Sequence, residues 1–309
     1  MGTIAQSWTA SRRLFAALLA TISLAPSPVA GQSSVAEPPA TVTTPAPREN
    51  FAGTLEFDGS SKFSRVRVRR KGSIRSLLFV RDGGEEVLET QIDLRRPQAL
   101  RFEYLRYFLA SYLLQPQPRD VLVVGLGGGG IVHFFAATAP TLRIEAVEID
   151  PLVVKLADKY FGVRSGGAVN VVVDDGLKYI AASKKMFDVV DMDAFLKPSE
   201  ETDDTGAPLA LRTRRFYRQI QRRLRPGGVV TFNLNPHPQI EADVREIAAA
   251  FGQTYVFQLP GNQGLVVAAT ADKRRVDAAE LVRRGRQLDA EKRFAGLISL
   301  REIAQHLRR

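Results

Sequence analysis

The residues of this chain best suited to hold and react with a small molecule are acids placed where apolar runs end, together with one run of glycines. Val147-Glu148-Ile149-Asp150 precedes Pro151, Val172-Val173 precedes Asp174-Asp175-Gly176, and Phe187-Asp188-Val189-Val190-Asp191-Met192 precedes Asp193. Ligands of open parallel sheets sit against the C-terminal ends of the strands, so three successive strands of this kind deliver acids to one crevice. Upstream, Val121-Leu122-Val123-Val124 runs into Gly125-Leu126-Gly127-Gly128-Gly129-Gly130 and then the helical Ile131-Val132-His133-Phe134-Phe135. Glycines allow a sharp turn there and let a ligand approach main-chain N–H groups at the start of the next helix. Glu148, 21 residues beyond Gly127, is placed to accept hydrogen bonds from both hydroxyls of a ribose, and Asp150 to cap the helix that Pro151 opens. The residues that this crevice makes candidates for binding a cofactor are Gly125, Gly127, Gly128, Glu148, Asp175 and Gly176, with no particular role yet fixed for Asp175. A dinucleotide would account for Glu148 and leave Asp175 and Asp193 without a role. The chain has no cysteine, which removes thiolate chemistry. His133, His237 and His306 have no metal-ligand spacing, read as structural or surface residues, and imply no metal.

The elements that must position these residues follow from periodicity. Strands are expected near 121–124, 143–149, 170–173, 187–192 and 229–234 with helical patterns between them, an order that implies an α/β fold with a doubly wound parallel sheet. Two later apolar runs, Tyr255 to Leu259 and Leu265 to Ala269, flank a turn at Pro260-Gly261-Asn262-Gln263-Gly264 and add an antiparallel edge pair. Before the sheet, Leu55 to about Ile92 alternates in short runs broken at Asp58-Gly59 and Asp82-Gly83-Gly84, a small antiparallel β unit. Helical spacing follows over 98–114, and two outer helices are expected near 276–288 and 298–307. The domain reading is a leader over 1–30, a linker over 31–52, the β unit and helix over 53–114, the ligand-binding domain over 115–272 and C-terminal helices over 273–309.

In order and spacing, Gly125 to Gly130, Val147-Glu148-Ile149-Asp150, Asp174-Asp175-Gly176, Asp193, and Phe216-Tyr217 through Arg225-Pro226-Gly227-Gly228 resemble the spermidine synthase family, with Asp193-Ala194-Phe195 most similar to its divergent bacterial branches. The resemblance runs from about residue 55 to about residue 270. It implies a Rossmann-like sheet of the class I S-adenosylmethionine-binding type and polyamine aminopropyl transfer from decarboxylated S-adenosylmethionine to a small-molecule amine. Glu148 would then hold the ribose, Asp175 the adenine amino group, and Asp193 would act at the attacking amine as the catalytic acid-base residue. The chemistry asks for such a residue: a sulfonium donor leaves as a neutral thioether, whereas an alkylamine of pKa about 10.4 costs roughly 4–5 kcal/mol to deprotonate at pH 7. A positioned carboxylate receives that proton and aligns the lone pair.

The departures from the family pattern fall where amines would be held. Gly128 stands where the family's glycine loop carries an aspartate, Leu196 where a second aspartate follows the catalytic one by three residues, and 101–107 read Arg-Phe-Glu-Tyr-Leu-Arg-Tyr in place of a Tyr-His-Glu segment. Glu200, Glu201, Asp203 and Asp204, in the loop that closes over the substrate in the family, are substitute candidates for drawing in a cationic acceptor. Two other functions share the same sheet: methyl transfer from S-adenosylmethionine itself, and nucleoside binding without catalysis.

At the N-terminus, Ser11-Arg12-Arg13-Leu14-Phe15 and the apolar run to Ala25 are too short to span a bilayer comfortably and read as an export signal, with small residues at Val29-Ala30-Gly31 for cleavage and an uncleaved membrane tether as the alternative. The 309-residue chain carries a net charge of +10. Loss of residues 1–30, which hold two arginines and no acid, would leave +8. Arginines cluster at 65–75, 212–225 and 274–286, but no nucleic-acid-binding motif accompanies them and they read as solvated faces. A homodimer is compatible with this reading.

Overall fold

A computed structural model describes residues 51–196 and 198–308. The expected leader and the linker, apart from its last two residues, lie outside the described residues. The chain first forms an antiparallel meander of four strands, β1 (Thr54–Ser60), β2 (Arg65–Lys71), β3 (Ile74–Val80) and β4 (Glu86–Asp93), in the order β1-β2-β3-β4. Alternation explains β2: Val66 and Val68 are fully buried, while the intervening arginines turn outward to Asp58 and Glu86. The expected break at Asp58-Gly59 does not occur. Both residues stay in β1, because Asp58 pairs with Arg65 and Arg67 across the ladder and the missing side chain of Gly59 leaves room for the Phe57 ring. The turn lies at Ser61–Ser64 instead, where the Ser61 hydroxyl accepts from the N–H groups of Phe63 and Ser64.

The helical pattern over 98–114 resolves into two short helices, α1 (Glu103–Phe108) and α2 (Ser111–Leu114). The second sheet then has seven strands: β5 (Asp120–Val124), β6 (Arg143–Glu148), β7 (Val169–Val173), β8 (Phe187–Met192), β9 (Leu224–Leu234), β10 (Gln253–Gln258) and β11 (Leu265–Thr270). Their order is β10-β11-β9-β8-β5-β6-β7, with β7, β6, β5, β8 and β9 parallel and β11 and β10 antiparallel, as the periodicity implies. Strand β5 is at the point where the winding reverses, and Val121 to Val124 are at most 2% exposed, as expected for a strand covered on both faces.

One face of this sheet packs on α1, α2, α3 (Gly130–Thr138) and the C-terminal α8 (Ala278–Ala290) and α9 (Leu300–Gln305). The other packs on α5 (Gly176–Ala182), α6 (Arg214–Gln221) and α7 (Ile240–Ala250). The four-stranded sheet buries Val66, Val68, Leu77 and Ile92 against Val153, Leu156 and Phe161, the first two of these on α4 (Pro151–Leu156). The histidines are tied in locally: His133 Nε2 to the Phe161 carbonyl, His237 to Asp243, and His306 to Tyr107. Among the described residues no helix is long and apolar enough to cross a membrane.

Candidate active site

The C-terminal ends of β5, β6 and β8, the start of α5 and strand β4 of the small sheet enclose a cavity of about 540 Å³. Its floor is the glycine loop. Gly125 is in the left-handed region at φ +96°, and a Cβ there would collide with the Asp193 carbonyl oxygen. The glycine therefore lets the loop after β5 lie directly against the loop after β8, which a side chain would forbid. Glu148 anchors the loop from β6, its two carboxylate oxygens accepting from the N–H groups of Leu126 at 2.9 Å and Asp150 at 3.0 Å. Burial pushes the Glu148 carboxyl up despite these bonds, and neighbouring Asp150 adds to the effect. Asp150 caps α4 through Leu152 N–H as expected, and its other oxygen accepts from Ser61 in the turn between β1 and β2.

Gly125, Gly127, Glu148, Asp175, Gly176 and Asp193 all line the cavity. Asp175 is also the N-cap of α5, its Oδ1 accepting from Leu177 N–H at 2.9 Å, a local duty the sequence reading gave only to Asp150. Gly128 does not line the cavity. Its N–H donates to Thr90 Oγ1 at 2.9 Å, and a Cβ would come within 2.8 Å of the Thr90 methyl and 2.9 Å of the Phe161 ring. The position faces strand β4 and has no space for a longer side chain.

The acidic loop over 200–204 places its carboxylates in different surroundings. Of its four carboxylates only Glu201 reaches the cavity. Asp203 is engaged within the loop, accepting from Thr205 and Ala207 N–H groups and from Arg212 at 2.6 Å. That arginine also pairs with Asp243 at 2.9 Å, so Asp203 fastens the loop to α7. Glu200 and Asp204 are exposed. Leu196, Leu209 and Leu211 present apolar surface to the cavity.

Asp193 is held from two sides. Tyr104 on α1 donates to Oδ2 at 2.9 Å, and Asn233 on β9 donates from its amide to Oδ1 at 3.0 Å. Burial outweighs both bonds and pushes the Asp193 carboxyl up to about 6, leaving it largely ionised at neutral pH and close enough to neutrality to take a proton. Two further acids surround it that the sequence reading did not select. Glu89 on β4 lines the cavity and is pushed up to about 8, first by burial and then by the charge of Asp193. Asp191, on the same strand as Asp193 and wholly buried, accepts from Thr231 at 2.6 Å and is pushed up to about 7 by burial. Neither Glu89, Tyr104 nor Asn233 belongs to a strand-end acid pattern, and only the fold brings them to Asp193.

A spermine/spermidine synthase domain model matches residues 110–263. The chain is 30% identical to a polyamine aminopropyltransferase of Desulforudis audaxviator over 193 residues, 58% of this chain and 67% of that one. This chain belongs to the spermine/spermidine synthase family. A polyamine aminopropyltransferase of Vibrio vulnificus is 26% identical over 215 residues, 68% of this chain and 70% of that one. Among solved structures, a spermidine synthase in complex with the transition state analogue AdoDATO has the same fold, with a TM-score of 0.56 at 20% identity, covering 79% of this chain and 89% of that one. Human methyltransferase-like protein 13 in complex with SAH gives a TM-score of 0.57 at 25% identity, covering 63% of this chain and 93% of that one. The named aminopropyltransferases are transferases, and the family membership makes this chain a transferase.

Proposed function

We propose that this spermidine synthase-like protein transfers an aminopropyl group from decarboxylated S-adenosylmethionine to an amine. The observation that carries the reading is the charge of the cavity. Glu89, Glu148, Asp175, Asp193 and Glu201 line it, and among the described residues no lysine, arginine or histidine does. S-adenosylmethionine brings a carboxylate, for which the described residues of this lining offer no cationic partner, whereas the decarboxylated donor brings only a sulfonium and an ammonium. In the transfer, the acceptor nitrogen forms a bond to the terminal carbon of the aminopropyl group as the carbon–sulfur bond breaks. The bonding pair stays on sulfur, leaving a neutral thioether, and the amine proton passes to Asp193. Tyr104 and Asn233 hold that carboxylate in register with the attack. Glu148 supports binding of the ribose and Asp175 of the adenine, as the family resemblance implies.

Calorimetric titration with the decarboxylated donor and with S-adenosylmethionine tests this, followed by product analysis with a panel of diamines. Tighter binding of the decarboxylated donor and formation of an aminopropylated amine are expected. The likeness to the SAH complex of the methyltransferase-like protein supports a second reading, methyl transfer from S-adenosylmethionine. Preferential binding of S-adenosylmethionine, with no aminopropylated product, would decide for it. The short apolar segment behind Arg12-Arg13 supports an exported location, and N-terminal sequencing of the native protein is expected to begin near residue 31; recovery of Met1 or Gly2 in a soluble cytosolic fraction would refute that.

A further inference from the structure

Strand β4 carries an irregularity at one residue. Leu77 of β3 faces Thr90, and the next residue, Leu78, faces Leu88, so Glu89 has no partner across the ladder. A bulge of this kind interrupts the alternation of a strand and re-aims one side chain. Here it lets two consecutive residues, Glu89 and Thr90, both line the cavity. Thr90 fills the space beside Gly128 and receives its N–H, so the loop position at which the family carries an amine-holding aspartate is closed by strand β4 itself. The second such position, Leu196, presents only apolar surface. Glu89 lies beside that closed position and within the field of Asp193.

We propose that Glu89 is the anionic seat for a primary alkylammonium group of the substrates, supplied by the small sheet in place of the two aspartates absent at Gly128 and Leu196. The inference rests on reading the cavity as a site for cationic ligands. The groups that act on Glu89 are Asp193 after β8, Glu148 at the end of β6, and Arg81 in the turn before β4, whose attraction only partly offsets the two acids; Tyr104 on α1 also lies within the reach of its charge. Two carboxylates confined together bind a proton between them or a cation. An arriving ammonium replaces the proton, and its binding at pH 7 therefore releases protons that Glu89 held.

The test compares wild type and Glu89→Gln by calorimetry at pH 7, in two buffers of different ionisation heat, with decarboxylated S-adenosylmethionine, methylthioadenosine and putrescine. Methylthioadenosine has the nucleoside without the ammonium, so its unchanged affinity reports that the variant is folded and its nucleoside site intact. If Glu89 seats the donor's ammonium, Glu89→Gln loses at least tenfold in affinity for the decarboxylated donor, with proton release abolished. If it seats the acceptor's, the same loss appears with putrescine and the donor is unaffected. Unchanged affinity and unchanged proton release with both ligands overturn the proposal, as does a wild type that binds neither. Because the readout is binding, a wild type that loses ammonium affinity through Glu89→Gln yet makes no aminopropylated product would count against aminopropyl transfer and leave the seat standing. Should Glu89→Gln fail to bind methylthioadenosine, Glu89→Ala and Glu89→Asp are measured in its place: retained ammonium binding in Glu89→Ala overturns the proposal, and partial recovery in Glu89→Asp supports it.

Discussion

The two halves of the cavity are built in opposite ways. The half formed by Gly125, Gly127, Glu148 and Asp175 comes from one continuous stretch of strand, turn and helix, and each residue also holds its own turn: Glu148 ties down the glycine loop and Asp175 caps α5. The half around Asp193, at the end of β8, is completed from β4, α1 and β9, whose Glu89, Tyr104 and Asn233 are 40 to 104 positions away from Asp193 in the chain. The first half is fixed by local geometry. The second depends on three separate packings: α1 on the large sheet for Tyr104, β9 beside β8 for Asn233, and for Glu89 the docking of the small sheet, through Ser61 on Asp150 and the apolar contact of β2 to β4 with α4.

The largest effect expected is at the assembled half. Asp193→Asn should lower turnover by about 10²–10⁴-fold, the range for a lost general base, while donor affinity stays within a few-fold. Steady-state rates and calorimetry on the same preparation measure both, and full activity in the variant would remove Asp193 from the chemistry. Glu148→Ala and Asp175→Ala should do the reverse, weakening adenosyl ligands by about 1.5–3 kcal/mol each. Asp175→Ala should in addition lower stability by about 1 kcal/mol, through loss of the α5 cap; equal unfolding midpoints for wild type and variant would argue against the capping bond.

Tyr104→Phe should have a smaller and pH-dependent effect. The Tyr104 hydroxyl lowers the Asp193 carboxyl, and without it that carboxyl rises further above 6. The rate profile should then shift to higher pH, with a loss several-fold greater at pH 6 than at pH 8.5. A uniform loss at all pH values would mean that the tyrosine acts on substrate position alone.

The smallest expected effect is on stability. Glu89, Asp191 and Asp193 have folded values of about 8, 7 and 6, against ordinary values of 4.5, 3.8 and 3.8. The folded chain therefore binds more protons than the unfolded one, and the stability these groups contribute is full below about pH 4 and is lost as the pH rises toward 8. Glu89→Gln removes one of the three. Its melting temperature should gain on wild type by a few degrees between pH 5 and pH 9. Scanning calorimetry without ligand at the two pH values checks this, and a constant difference would show that Glu89 does not titrate in that range.

The order of strands, the glycine turn and the strand-end acids were legible from sequence because each is a local statement. Apolar runs mark buried strands, glycine marks the turn that tolerates no Cβ, and an acid before a helix marks a cap. The error at Asp58-Gly59 has the same origin: a local turn signal was overruled by ion pairs from the neighbouring strand. The acidic run at 200–204 could not be divided for a related reason, since composition cannot tell a carboxylate that lines the cavity, like Glu201, from one, like Asp203, held by Arg212. Sequence by itself determined the half of the site whose residues are neighbours in the chain. Only the tertiary structure decided that Glu89, Tyr104 and Asn233 surround Asp193, because a bulge in one strand, a short helix and a strand end carry no pattern that names their common neighbour; docking of the small sheet brings Glu89, packing of α1 on the large sheet brings Tyr104, and pairing of β9 beside β8 brings Asn233.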